Sequence, residues 1–259
     1  MSSKILNQAG CERVSDGARV PLLEGCGGRR SLILVLPHFG DFDSLEYAWW
    51  LGREGWFEHP PQGMAQDFQL RAVGIGDRAA GQRFCDYTGF PAGQLWIDPD
   101  AKLHGQLGLY GGLGWKLPGG SDRVNGWLNL LLMCAGIGSP GTLKEVFRGY
   151  LGDRAAPQLI ADDEVVKTSA LPAISGETFK FAGGKGFQRP FELATLRLRN
   201  MAESLGHWQT YGPKGAVLTQ RGGTFVLEAE ELLYEHRDRG ILGFAANMAQ
   251  PLGFLAELD

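Results

Sequence analysis

Cysteine is scarce in this chain and badly spaced for chemistry. There are four, Cys11, Cys26, Cys85 and Cys134, and no two lie within four residues of each other. That spacing excludes the close pairs that hold zinc or cycle between dithiol and disulfide. Long apolar runs are missing too. The longest, Trp127 to Ile137, is interrupted by Asn129 and falls far short of the ~20 residues a spanning helix needs. No apolar stretch follows Met1-Ser2-Ser3-Lys4, so no secretory signal is expected and the cysteines are expected to be reduced. Neither sign of charge dominates: 25 Lys and Arg face 29 Asp and Glu, a formal net charge of −4. Such a balance leaves no footprint for nucleic acid. The expectation is a soluble cytoplasmic protein.

What is present is a core. Apolar residues make up 44% of the 259 and charged residues 21%, which suits one large globular domain. Glycine, at 39 residues, has about twice its usual share and implies many tight turns. Residues 11–24 read as an edge hairpin about Ser15-Asp16-Gly17. Apolar strands follow at 31–36, 70–75 and 95–97, alternating with helices at 44–53, 79–87 and 101–107. Gly89 suits the end of the second helix. This alternation signals an α/β fold with parallel pairing. Regularity then breaks: 111–207 reads as an insertion subdomain, with helices at 125–135, 142–150 and, from Pro190 at its first position, to Leu205. Antiparallel strands at 222–227 and 232–236 and a last helix over 241–249 complete a single domain spanning 1–259.

The most informative segment is Leu36-Pro37-His38-Phe39-Gly40-Asp41-Phe42-Asp43-Ser44-Leu45-Glu46. It leaves a buried strand and opens a helix, where free N–H groups and the helix dipole favour anions. His38, Asp41, Asp43, Ser44 and Glu46 form the densest polar cluster in the chain. As a helix start, Asp41, Asp43 or Ser44 would cap and Asp43 with Glu46 has capping-box spacing. As chemistry, the cluster would be a hydrolytic or metal site, yet no second base completes a triad. No metal site and no cofactor is predicted. Gly74-x-Gly76 lacks the third glycine of a dinucleotide loop, and Gly183-Gly184-Lys185-Gly186 lacks the spacing of a phosphate loop.

The run Pro37-His38-Phe39-Gly40-Asp41-x-x-Ser44-Leu45-Glu46 resembles the strand–loop–helix of the peroxiredoxin-like 2 group of the alkyl hydroperoxide reductase/thiol-specific antioxidant superfamily. There the pattern is roughly His-Phe-Gly-Cys-x-x-Cys-Arg-Glu. Gly74-Ile75-Gly76-Asp77, Asp98-Pro99-Asp100 and Gly222-Gly223-Thr224-Phe225-Val226 are similar to the same family in the same order. The resemblance covers about 11–110 and 208–250. It implies a thioredoxin-like, peroxiredoxin-like mixed sheet flanked by helices, with a long insertion. The family includes cyanobacterial and chloroplast members, and residues 112–200 resemble an insertion in those of the photosynthetic lineage, which implies a setting beside thylakoid complexes, or the plastid stroma in a eukaryotic source. Both family cysteines are replaced here, by Asp41 and Ser44. A carboxylate keeps the charge at the helix start but forms neither sulfenate nor disulfide, and serine without a base is no substitute nucleophile.

The resemblance therefore implies the fold without the peroxide chemistry. His38, Phe39, Asp41, Ser44 and Glu46 become a degenerate site, and the chain is expected to serve as a protein-binding or assembly module. The rival is an oxidoreductase that uses Cys134 or Cys85. Cys85 lies on the helix 79–87, expected to pack on the sheet away from the 38–44 loop. Aromatics mark the expected contact surface. Tyr47 and Trp50 fall off the apolar stripe of the helix 44–53, and with Trp49 and Trp127 they are expected to meet a protein partner or a second copy.

Overall fold

The computed structural model describes residues 1–58, 68–167 and 172–258. In chain order come α1 (Ser2–Gln8), β1 (Gly10–Arg13), β2 (Arg19–Pro21), β3 (Ser31–His38), α2 (Phe42–Arg53), β4 (Gln69–Ile75), α3 (Arg78–Thr88), β5 (Leu95–Ile97) and α4 (Lys102–Leu107). The middle of the chain holds α5 (Asp122–Cys134), α6 (Thr142–Leu151), the short strands β6 (Val165–Val166) and β7 (Ile174–Ser175), α7 (Glu192–Gly206) and α8 (Trp208–Tyr211). The hairpin β8 (Gly223–Glu228) and β9 (Glu231–Arg237) follows.

Seven strands form one mixed sheet in the order β2-β1-β5-β4-β3-β8-β9. β3 runs parallel to β4, and β4 to β5, while β8 and β9 add antiparallel to the other side of β3. The expected hairpin is there, with β2 at the edge. Central β3 is apolar from Leu32 to Pro37 because both faces are covered. Leu32, Leu34 and Leu36 point into a core shared with α2, α3 and α7, whereas Ile33 and Val35 point into a second core with Trp96, Phe225, Leu103 and Leu107. Residues 111–207 do not stand apart from this core. Leu159, Ile160, Leu193 and Leu196 are buried in the same cluster as Leu45, Ala48 and Leu51 of α2.

Two local expectations give way, and one helix is unforeseen. No helix forms over 241–249, where the chain instead makes turns. Leu242 has φ 60 and its N–H bonds the Asp43 carboxylate at 2.6 Å, so a tertiary anchor overrides the helical pattern. α7 starts at Glu192, two residues after Pro190, with Phe191 at φ 69 as its N-cap. α1, absent from the sequence reading, buries Leu6 in the second core. Among the described residues no helix is long and apolar enough to cross a membrane.

Candidate functional site

β3 ends in a register shift between Val35 and His38. Pro37 lies inside it and has no N–H to give the ladder. The chain then turns: Asp41 N–H donates to the His38 carbonyl at 2.8 Å. Phe39 drops beneath the turn. A Cβ at Gly74 would lie 2.5 Å from its ring and one at Gly76 2.7 Å, so these two positions must be glycine for the ring to fit. The same ring packs on Phe84 of α3 at 5.4 Å between centroids. Hence α3 lies directly under the loop, contrary to the expectation that it packs away from it. Ser204 of α7 donates to the Gly40 carbonyl at 2.6 Å and fastens the loop from above.

Asp41 is the N-cap of α2, its Oδ1 accepting from the Asp43 N–H at 3.0 Å. Its main partner is distant in sequence. Arg221 donates through Nη2 to Asp41 Oδ2 at 2.5 Å and through Nη1 to Asp41 Oδ1 at 3.3 Å and Asp43 Oδ2 at 3.2 Å. Arg221, Asp41 and Asp43 are all buried. The capping box expected from Asp43 and Glu46 is not formed. Asp43 binds Arg221 and the Leu242 N–H, and Glu46 accepts from Arg197 Nε at 2.7 Å and Nη2 at 3.1 Å. Ser44 Oγ donates to the His38 carbonyl at 2.9 Å. Its proton is thus committed to a backbone acceptor, and no base addresses it.

The charges in this pocket do not balance. A third buried carboxylate, Asp238, joins Asp41 and Asp43 around one guanidinium, and its Oδ1 has no hydrogen-bond partner. Burial and the Asp43 charge hold Asp238 well above the usual carboxylate range. Burial, with the Asp41 charge behind it, pushes Asp43 up to about 7. Asp41 alone goes the other way: burial would raise it, but the Arg221 and His38 charges hold it low. His38 is buried, with Nε2 at 3.7 Å from Asp41 Oδ2 and Nδ1 unpartnered, and burial lowers it to about 4. The Trp208 ring meets the His38 ring edge-on at 5.7 Å. Among the described residues no three His, Cys, Asp or Glu are grouped to hold a metal.

The thiols lie in unfavourable surroundings. Burial raises Cys85 to about 12 and Cys11 to about 11. Half-buried Cys134, at the end of α5, does come within electrostatic reach of the loop. Burial first, then the Asp41 and Asp43 charges, raise it to about 11, against the pull of Arg221.

The expected aromatic surface on α2 does not exist. Tyr47 and Trp50 are 2% and 3% exposed. Tyr47 stacks on Phe244 at 4.6 Å and accepts from Thr224 Oγ1 at 3.1 Å. Both faces of α2 are covered, one by the sheet and the other by α7 and the residues after β9, so no outward stripe remains. Trp49 is half-buried under the Arg53 guanidinium, and Trp127 is half-buried against Trp208 at 4.8 Å. Apolar side chains are exposed elsewhere: Phe147, Tyr150 and Leu151 on α6 and Phe191 at the start of α7 are each more than half exposed. Beside them a groove of about 320 Å³ opens between α6, α7 and the first residue of α2.

Arg221, Asp238 and Arg197 were not singled out by sequence. Arg221 stands in a polar loop before β8 and reads locally like any solvated arginine.

A mixed sheet flanked by helices, with a turn and helix N-terminus at the end of its central parallel strand, defines a thioredoxin-like protein. Residues 61–240 match the family described as AhpC/TSA antioxidant enzyme, and the chain belongs to that family. The matched range begins beyond the 36–46 loop and runs through the whole of 111–207. Neither the curated proteins nor the solved structures contain a match to this chain.

Proposed function

We propose that this chain is a member of its family without thiol chemistry and serves as a binding or assembly module for a protein partner. The observation that carries this reading is the bond between Asp41 and Arg221. At the position where the resemblance places a redox cysteine there is a carboxylate, buried, 2.5 Å from a buried guanidinium. A guanidinium that would stabilise a thiolate is here saturated by two aspartates, and the loop around it is closed by Phe39 below and Ser204 above. The exposed apolar side chains of α6, Phe147 and Leu151 above all, supply a contact surface in place of the buried aromatics of α2. The resemblance to the photosynthetic-lineage members makes a partner in a photosynthetic complex part of this proposal.

The alternative is an oxidoreductase working through Cys134, which one observation favours: it is the thiol that feels the charges of the loop. Its raised pKa argues against it, since the thiolate is the nucleophile. Peroxide consumption with thioredoxin or glutathione as reductant separates the two readings. The expected result is no turnover above the protein-free rate. Turnover that is lost in Cys134→Ser or Cys85→Ser would overturn the proposal. Leu151→Glu with Phe147→Glu is expected to abolish co-purification of the partner while the melting temperature is kept.

A further inference from the structure

Between α4 and α5 the chain displays apolar side chains on a backbone that has little need of water. Trp115 and Leu117 in the loop and Val124 in the first turn of α5 are 56%, 47% and 51% exposed. Two buried asparagines of α5, Asn125 and Asn129, lie one helical turn apart and hold the loop. Asn129 Oδ1 accepts from the Trp115 N–H at 3.2 Å, and its Nδ2 donates to the Trp115 carbonyl at 2.9 Å. Asn125 Oδ1 accepts from the Leu117 N–H at 2.9 Å, and its Nδ2 donates to the Gly120 carbonyl at 3.1 Å. The Gly120 N–H closes a turn on the Leu117 carbonyl at 3.0 Å. A Cβ at Gly120 would lie 2.7 Å from Asn125 Oδ1, so the clamp needs glycine there. Both loop residues that expose an apolar side chain thus have N–H and carbonyl satisfied by the chain itself. Lys116 between them and Arg123 in the first turn of α5 are exposed, and neither has an ion pair among the described residues.

We propose that this loop anchors the protein to the surface of a bilayer that carries anionic lipids. The inference goes beyond the proposed function and uses none of the residues assigned there to a protein partner. Lipid tails offer no hydrogen bonds, so a loop that enters their boundary is penalised for every bare backbone group. The asparagine clamp removes that penalty at Trp115 and Leu117 before contact. A protein surface makes no such demand, because it can supply backbone donors and acceptors of its own. Tryptophan settles at the boundary between headgroups and tails, and leucine and valine add apolar area beside it. Lys116 and Arg123 supply charge of the sign that anionic headgroups attract, on stems long enough to reach them while the apolar side chains are buried. The one carboxylate in 114–124, Asp122, lies in the first turn of α5, where the helix dipole favours it. The whole chain carries a formal net charge of −4, so an anionic surface repels it overall. Contact is therefore confined to this loop and fixes one orientation.

The test is co-sedimentation of the full chain with phosphatidylcholine vesicles, with and without phosphatidylglycerol. The expected result is binding to the mixed vesicles that weakens in neutral vesicles and at high salt. Trp115→Ser with Leu117→Ser changes only exposed side chains, should keep the parental melting curve, and should weaken binding to the mixed vesicles by about tenfold or more. Lys116→Gln and Arg123→Gln should each cost about fivefold on the mixed vesicles and little on the neutral ones. Asn129→Ala keeps every exposed side chain but bares the Trp115 backbone, and should weaken binding as well. No sedimentation of the parent chain, or undiminished binding by the Trp115→Ser, Leu117→Ser variant, overturns the proposal. So does the finding that these two substitutions dissolve a dimer in the absence of lipid, which would make the loop a protein contact. None of these results bears on the loss of thiol chemistry, which is read from peroxide turnover.

Discussion

Asp41 and Arg221 are 180 residues apart in sequence and 2.5 Å apart in space, both buried. One stands at the start of α2 and the other just before β8, so the pair ties the two halves of the central sheet across the end of β3. Arginine cannot shed its proton in a protein, and position 41 therefore answers a permanent positive charge. Removing that charge leaves Asp41 and Asp43 facing each other. Arg221→Met should destabilise the fold by about 3–5 kcal/mol in urea denaturation, and adding Asp41→Asn with Asp43→Asn should recover part of the loss. A loss below about 1 kcal/mol for the single variant would mean the ion pair is not what holds the loop.

The same cluster sets a pH dependence. Asp43 is raised to about 7 in the fold from an ordinary value of 3.8. Between those two values the folded chain holds a proton at Asp43 that the unfolded chain has released. Asp43 thus contributes stability that is full below the lower value and is lost as pH rises through the upper one. His38, lowered to about 4 from 6.5, acts oppositely and makes stability rise with pH across its own window. Asp43→Asn isolates the first effect. The parent should lose about 2 kcal/mol relative to the variant between pH 5 and pH 7. Parallel stability curves would show that Asp43 titrates normally.

Tyr47 and Trp50 make a third case. Both are almost fully buried, and Tyr47 stacks on Phe244. Truncating either to alanine should cost about 3–5 kcal/mol and lower the melting temperature markedly. A fold of unchanged stability with weakened association would restore them to a surface.

The loop geometry carries a fourth prediction. Asp41 is the N-cap of α2, and Ser44 lies one turn on with its hydroxyl turned back to the His38 carbonyl. Asp41→Cys with Ser44→Cys should close an intraloop disulfide under mild oxidation, since a first helical turn brings such Cβ atoms into bridging range. Arg221 should make the thiol at position 41 acidic, visible as thiolate absorbance at neutral pH. Two free, unreactive thiols would show that the turn does not hold the geometry of a redox pair.

Much of the fold was legible because it is written in short apolar runs. β3, β4 and β5 each carry four or more consecutive apolar or small residues, or sit between clear turns, and Asp41 at the mouth of α2 is a capping residue in the place where one is needed. α2 was misread for a physical reason. Tyr47 and Trp50 lie off the principal stripe, and a stripe implies a solvent face only if nothing covers the other side. Here residues far along the chain, Phe244 among them, cover it. Leu242 was misread likewise, since the acceptor that takes its N–H lies 199 residues away. The charged cluster was half visible. Asp41 and Asp43 stood out as a local group, but Arg221 and Asp238 join them only through the sheet, and no spacing announces that.

The seat of Phe39 has a bearing on descent. Its ring occupies the room that two absent side chains would fill, at Gly74 and Gly76, so the three positions can change only together. Residue 44 is under no such constraint, its hydroxyl bonding only a backbone carbonyl, whereas residue 41 is tied to Arg221. A change at position 44 can therefore leave the curve of the chain intact. Among kin of this protein, the three packing positions should vary as one set, and positions 41 and 221 as another.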